Sequence, residues 1–178
     1  LGGGEVRMID LVQAFSVIAN LGVKTPLTPI LKVEDYRGNV ISEIDIEQRK
    51  KDLATLTEYD AEESYGELQR VLDKGPTYMT ADIMQDNTAR VQAFGSRSEL
   101  VIPGKTVSVK TGTTNDLKDN WTVGFTPEYL VMTWVGNNDS TPMNRNIVSG
   151  VTGAAPIFND IMSYILKDKE YDWYEKQE

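Results

Sequence analysis

The 178-residue chain contains no cysteine and no histidine. The first absence removes disulfides, thiol nucleophiles and thiolate metal sites. The second removes the Ser-His-Asp triad, the HExxH zinc site and every imidazole acid or base. Catalysis in such a chain falls to Lys, Asp, Glu, Ser, Thr or Tyr. Positive charge is scarce too. Lys and Arg total 18 against 27 Asp and Glu, a formal charge of −9. That balance opposes duplex nucleic acid as a partner, because such binding needs a basic face to displace counterions. No apolar run reaches the roughly 18 residues of a membrane-spanning helix. The opening Leu1-Gly2-Gly3-Gly4-Glu5 has neither a Met nor a charged-then-apolar leader, and reads as the edge of a piece cut from a longer protein. What remains is an ordinary globular composition, 40% hydrophobic and 25% charged, long enough to bury a core without staples.

Periodicity organises the first half into helices and a hairpin. Met8, Leu11, Val12, Phe15 and Ile18 form one helical stripe between residues 5 and about 20, and Gly22 fits its C-terminal cap. Thr25-Pro26-Leu27-Thr28-Pro29 breaks the pattern. Ile30 to Glu34 and Asn39 to Ile44 flank Asp35-Tyr36-Arg37-Gly38 as a β-hairpin. Residues 45–75 are charge-rich and poor in large apolar groups. Glu47 to Asp52 there reads as a solvated helix face or loop, with a recognition patch as the sharper alternative. A helix is expected over about 60–73, stopped by Pro76, and another from Tyr78 to about Ala89 with Met79, Ile83 and Met84 filling core. Gly95 to Gly104 reads as loop.

The second half changes period. Val107 to Thr111, Trp121 to Phe125 and Tyr129 to Val135 alternate as strands, with Thr126-Pro127-Glu128 as a short turn. Strands in series with short connections imply an antiparallel meander. Pro156 then opens a helix whose Ile157, Phe158, Ile161, Met162 and Ile165 make an apolar face. Helices before and after an antiparallel sheet define an α+β fold. Lys167 to Glu178 is a charged tail carrying Tyr171, Trp173 and Tyr174, read as a solvated extension with loosely packed aromatics or as a partner-binding tail.

Three motifs fail on inspection. Gly104-Lys105-Thr106 resembles the end of a phosphate-binding loop, but Glu99 stands where that loop needs glycine, and the chain runs here from loop into strand. Asn138-Asp139-Ser140 is a chance-level glycosylation triplet. The acidic cluster at Asp116 to Asp119 lacks calcium-loop spacing. Lys110-Thr111-Gly112 is different because of its place at a strand end, followed by Thr113 and Thr114. A lysine and several hydroxyls there can grip an anion. A glycine admits a ligand against the strand edge, and the following N–H can face a developing oxyanion. The plain alternative is an exposed lysine followed by a glycine turn.

Lys110-Thr111-Gly112-Thr113-Thr114 resembles the third signature of penicillin-binding proteins and serine β-lactamases. Asp119-Asn120-Trp121-Thr122-Val123-Gly124-Phe125-Thr126-Pro127, Trp134 to Asp139, Thr141-Pro142-Met143 and Gly153-Ala154-Ala155-Pro156-Ile157-Phe158 are similar to the segments that follow it in bifunctional, class A members. Leu1 to Gly22 is similar to a stretch well after the nucleophile, so the resemblance covers roughly residues 1–44 and 76–166. It implies the C-terminal portion (1–166) of a transpeptidase domain of the β-lactamase-like α+β fold, with 45–75 as a candidate insertion and 167–178 as a charged tail. It implies a D,D-transpeptidase that cross-links peptidoglycan stem peptides, is acylated by β-lactam antibiotics, uses no cofactor or metal, and works at the extracytoplasmic face of a bacterial membrane. Carried over, Lys110 would organise the site and the substrate carboxylate. Thr111 and Thr113 would hydrogen-bond that carboxylate, Gly112 would admit the ligand, and the Thr113 N–H would be an oxyanion donor. Thr114 belongs to the motif without an assigned task.

Two departures stand out. No serine in the chain has Lys three positions on or Asn two positions on, so the nucleophile and its lysine are expected outside this chain, in the N-terminal part of the same domain. Residues 45–75 are longer and more charged than the resemblance leads one to expect, as an insertion packed outside the site or as a surface for another division or elongation protein. A chain of this kind is expected to expose apolar surface. A nucleophile-free binding module of the same fold and a β-lactamase or penicillin-sensing relative are the competing classes. The Asp-Asn-Trp and Gly-Ala-Ala-Pro segments speak against the last.

Overall fold

The computed structural model describes residues 4–56, 68–144 and 151–176. Its centre is a three-stranded antiparallel meander of β5 (Ser108–Thr113), β6 (Asp119–Phe125) and β7 (Leu130–Gly136), in that spatial order. The register pairs Lys110 with Val123 and Gly112 with Trp121, and then Trp121 with Trp134. Both faces carry helices. On one, α5 (Ala154–Leu166) lays Ala155, Phe158, Met162 and Leu166, all at 0% exposure, onto Val109 and Val131, joined by Leu100, Ile102 and Val107. Gly124, between Val109 and Val131, makes this contact possible. A Cβ at Gly124 would lie 2.4 Å from the Phe158 ring, and overpacking of that kind strains a core. On the other face, Phe15, Ile18 and Ala19 of α1 (Met8–Ala19) meet Ala81 and Met84 of α3 (Lys74–Gln85) over Phe125 and Leu130. Helices on each side of an antiparallel sheet make the α+β class expected from the sequence.

α1 ends in a tight hydrogen-bonded cap. The Gly22 N–H donates to Val17 O at 2.8 Å and the Leu21 N–H to Ile18 O at 3.0 Å. Gly22 closes it, while Leu21 also takes the left-handed conformation, with φ 49°. β1 (Val23–Lys24) then pairs with β4 (Gln69–Arg70). The expected hairpin is present as β2 (Lys32–Glu34) and β3 (Val40–Glu43), both strands exposed throughout, with Asp35 Oδ1 accepting from the Arg37 and Asn39 N–H groups in the turn. The charged stretch around Glu47 to Asp52 is α2 (Ile46–Thr55), which buries no residue.

Several expectations need correction. The helix over 60–73 falls partly outside the described residues, and its remainder contains strand β4 instead. Pro76 does not end a helix but lies in the first turn of α3, where N–H groups have no intrahelical partner and proline costs little. The helix from Tyr78 breaks at Asp86, whose extended backbone lets Oδ1 accept from the Thr88 and Ala89 N–H groups and start α4 (Asn87–Phe94). Met79 and Ile83 are exposed, at 61% and 70%, and only Met84 fills core. Exposed apolar surface is present, but on helix flanks and the hairpin, since helices pack against both sheet faces.

The tail is charged but not loose. Tyr171 OH donates to Thr106 O, and Tyr174 OH donates to Ala19 O at 2.7 Å while its ring joins the α1–α3 cluster. Lys105 Nζ donates to Lys169 O. The tail therefore straps the start of β5 to the end of α1. Its aromatics carry the packing, which a charge count does not register. Among the described residues no helix is long and apolar enough to cross a membrane.

A buried cation holds α2 and β4 to the core. Arg70 is 6% exposed and donates from Nε and Nη2 to Leu56 O and from Nη1 to Leu21 O and Leu72 O. Leu56 and Leu21 follow the C-terminal ends of α2 and α1, where helix dipoles favour positive charge. Arg70→Met is expected to cost about 3 kcal/mol, because it leaves inward carbonyls unpaired; urea unfolding measures it. A second expectation concerns pH. Burial raises the Tyr174 phenol above its ordinary value. The folded state thus stays neutral where the unfolded chain ionises. This contribution is fully present below about pH 10 and is lost as pH rises past that value. Tyr174→Phe is expected to lower stability by about 1 kcal/mol at neutral pH and to flatten the alkaline decline, as read by thermal unfolding across pH.

Candidate functional site

The signature runs from Lys110 to Thr113 at the end of β5, with Thr114 just after it, and the backbone phase of that strand decides what each can reach. The Thr114 N–H donates to Asp119 O at 3.0 Å, so Thr114 turns its amide toward β6. Amides alternate along an antiparallel strand. The N–H of Thr113 and the carbonyls of Thr111 and Val109 therefore turn away from β6, toward the edge that has no strand partner among the described residues. Two side-chain contacts agree with this phase. Arg90 Nη1 of α4 donates to Val109 O at 3.1 Å, and Lys110 Nζ donates to Thr111 O.

Arg90 closes the first part of that edge. Its Nη1 also donates to Met84 O at 3.1 Å, so the guanidinium is anchored on the end of α3. Burial pushes its pKa down and nearby Asp86 opposes this. Beyond Val109 the edge is open. Lys110 is exposed there, Thr111 and Gly112 are half-buried, and Thr113 is exposed.

Side-chain alternation divides the signature between two faces. Lys110 and Gly112 share the face of Trp121 and Trp134, whose ring centroids are 6.2 Å apart. Thr111 and Thr113 share the opposite face with Asn120, Thr122 and Thr133. A ligand touching both sets must lie along the edge itself. Gly112 leaves room there. A Cβ would sit 3.8 Å from Trp121 Cβ, an ordinary contact, so packing within the described residues does not require glycine.

The strand end is braced on both sides. Asp119 Oδ1 accepts from Trp134 Nε1 at 2.9 Å and its Oδ2 from Thr114 Oγ1 at 3.2 Å, while Thr114 Oγ1 accepts from the Asp119 N–H at 2.9 Å. Asn120 is fully buried, with Nδ2 donating to Thr113 Oγ1 at 3.0 Å and Oδ1 accepting from the Ala154 N–H at 2.6 Å. Asp119 and Asn120 carried no role in the sequence reading. A polar residue inside a strand of apolar and aromatic neighbours was the available signal, and its partner 34 residues on was not readable. After Thr114 the chain turns sharply through Asp116 and Leu117, both left-handed (φ 63° and 56°). A cleft of about 440 Å³ opens beside this turn, lined by Glu5, Val6, Thr114, Lys118, Asp119 and Trp121 among others. Among the described residues no group of acidic side chains is arranged to hold a metal ion.

The lysine-bearing strand ending in Thr-Gly-Thr and the helix α5 behind it both fall within a stretch that matches a known family. Residues 3–163 match the model of the penicillin binding protein transpeptidase domain, and the chain belongs to that family. Its relatives include Penicillin-binding protein 1A of Rickettsia felis, 29% identical over 177 residues that cover 95% of this chain and 21% of that protein. Penicillin-binding protein 1A of Neisseria meningitidis serogroup B is 30% identical over 174 residues, covering 96% and 19%. The chain thus spans about a fifth of the length of the curated relatives it matches. Among solved structures, Penicillin-Binding Protein 1A from Haemophilus influenzae superposes with a TM-score of 0.70 at 18% identity, over 96% of this chain and 28% of that one. A peptidoglycan synthetase from Bifidobacterium adolescentis gives 0.58 at 21% identity, over 97% and 29%. These two establish the fold alone.

Proposed function

We propose that this chain is the rear portion of a peptidoglycan D,D-transpeptidase domain, with residues 45–75 as an insertion and 167–178 as its tail. It works with Ser-x-x-Lys and Ser-x-Asn segments supplied from outside residues 1–178 at the extracytoplasmic face of a bacterial membrane. In this reading the serine oxygen attacks the penultimate D-alanine carbonyl of a stem peptide. Terminal D-alanine departs, and an amine of a neighbouring stem displaces the serine. β-Lactams enter the same path by acylating that serine. No histidine is needed, because lysine handles the proton.

The carrying observation is the convergence at one open edge. Lys110 Nζ lies on the outward Thr111 carbonyl, and the Thr113 N–H turns outward two residues on. A stem peptide aligned along this edge meets a cation for its carboxylate and an N–H for the oxyanion within one short stretch. Thr111 and Thr113 offer hydroxyls to the carboxylate from the other face, and Gly112 keeps the intervening surface flat. Thr114 contributes by holding the strand end through Asp119.

Labelling with a fluorescent penicillin tests this reading. The chain alone is expected to give no covalent adduct, and the intact polypeptide that contains it is expected to give one. An adduct on the chain alone overturns the placement of the nucleophile. A lack of adduct on a folded intact polypeptide favours a binding module. In that intact polypeptide Lys110→Ala is expected to slow acylation by roughly 100-fold, the scale of a lost charge-stabilising contact. Unchanged acylation removes Lys110 from the site.

A further inference from the structure

Hydrogen-bond polarity at Asn120 reaches beyond the signature itself. A backbone N–H can only donate, so the Asn120 atom 2.6 Å from the Ala154 nitrogen is its carbonyl oxygen. That fixes the amide orientation. The other end is then Nδ2, which can only donate, and it faces Thr113 Oγ1 at 3.0 Å. The Thr113 hydroxyl is thereby an acceptor toward the protein interior, and its own proton is directed elsewhere. Thr113 is exposed at the open end of β5, whereas Asn120 has no exposed surface.

The surroundings are built to keep this orientation. α5 starts after Gly153, which has no side chain to cap it, and the Ala154 N–H is one of the first-turn donors with no helical partner. Asn120 supplies that cap from β6. Gly153 gives the amide its room, since a Cβ there would lie 2.4 Å from Asn120 Oδ1. Thr133 Oγ1 donates to Ala154 O at 2.8 Å and fixes the same residue from β7.

We infer that Asn120 is a positioning residue that commits the Thr113 hydroxyl to donate outward, to an anionic carboxylate lying along the β5 edge. This rests on the transpeptidase reading above. Asn120 touches no ligand and acts through Thr113. An aspartate at 120 keeps the α5 cap but turns the second oxygen into an acceptor, so that Thr113 donates inward and loses its hold on the ligand.

The experiment uses the intact polypeptide and two ligands, a penicillin with its free carboxylate and its methyl ester, at about pH 8. The native protein is expected to be acylated faster by the carboxylate form. Asn120→Asp is expected to cut that preference about tenfold or more, the value of one charge-assisted hydrogen bond, with the ester rate held within about twofold. Thr113→Val is expected to cut the same preference, and the double variant to lose no more of that preference than either single. Asn120→Ala removes the donor without adding charge and is expected to reduce the same preference. It serves if the aspartate variant does not fold. Asn120 variants that keep the native preference, lower both ligands equally, or add fully to Thr113→Val overturn the inference. Acylation of the native polypeptide separates the two levels. If the native polypeptide is acylated by neither ligand, the transpeptidase reading fails. If it is acylated while the folded Asn120 variants keep the native preference, only the role of Asn120 fails.

Discussion

The phase of a single strand governs this molecule. Because the Thr114 amide turns to Asp119, every second carbonyl of β5 before it turns outward. The contacts of Arg90 and Lys110 with Val109 and Thr111 follow from that one choice. A one-residue slip in β5–β6 pairing would send the Thr113 amide inward and put Lys110 on the other face. The register therefore has to be pinned firmly, and it is pinned at both ends. Ser108 Oγ donates to Ala81 O of α3 at one end, and the Asp119 and Asn120 contacts hold the other.

The second dependency is between α5 and the site. The helix is not only a cover for the sheet. Its first N–H fixes Asn120, and its Phe158 sits on Gly124, four residues along the same strand. Gly124 and Gly153 are small for the same reason: in each case a neighbouring side chain occupies the space a Cβ would need. The helix is thereby locked in position along the strand as well as in distance from it. The strap through Tyr171 and Tyr174 then returns the chain to the start of β5 and the end of α1, so the two helical layers are tied to each other around the sheet.

Much of this was legible in the sequence, for physical reasons that differ by element. The three strands and α5 announced themselves because burial imposes period 2 or 3.6 on apolar residues. Lys110-Thr111-Gly112 marks the candidate site because the proposed chemistry needs those types in adjacent positions. The failures have a common cause. Pro76 was read as a stop because a breaker and a first-turn residue look alike without the cap that precedes them. Asp86 was hidden inside a helical pattern because a capping residue carries no periodic signal. Tyr174 was placed in a solvated tail because its neighbours are charged, although its own ring and hydroxyl dock 155 residues back. Asn120, which donates to the Thr113 hydroxyl, has no sequence signal of its own beyond the segment that surrounds it. Its role depends on a partner that only the folded chain brings near.

An open strand edge is also a hazard, since unpaired backbone groups in a row template the addition of another chain. Here the hazard is kept short. Arg90 occupies the outward carbonyl of Val109, and its bulk stands where a second strand would begin to pair. The left-handed turn at Asp116 and Leu117 bends the chain away just past Thr114. Among the described residues the open stretch of this edge is short, running from Lys110 to Thr113. Arg90 and the turn thus shorten the stretch of β5 edge to which another strand could add.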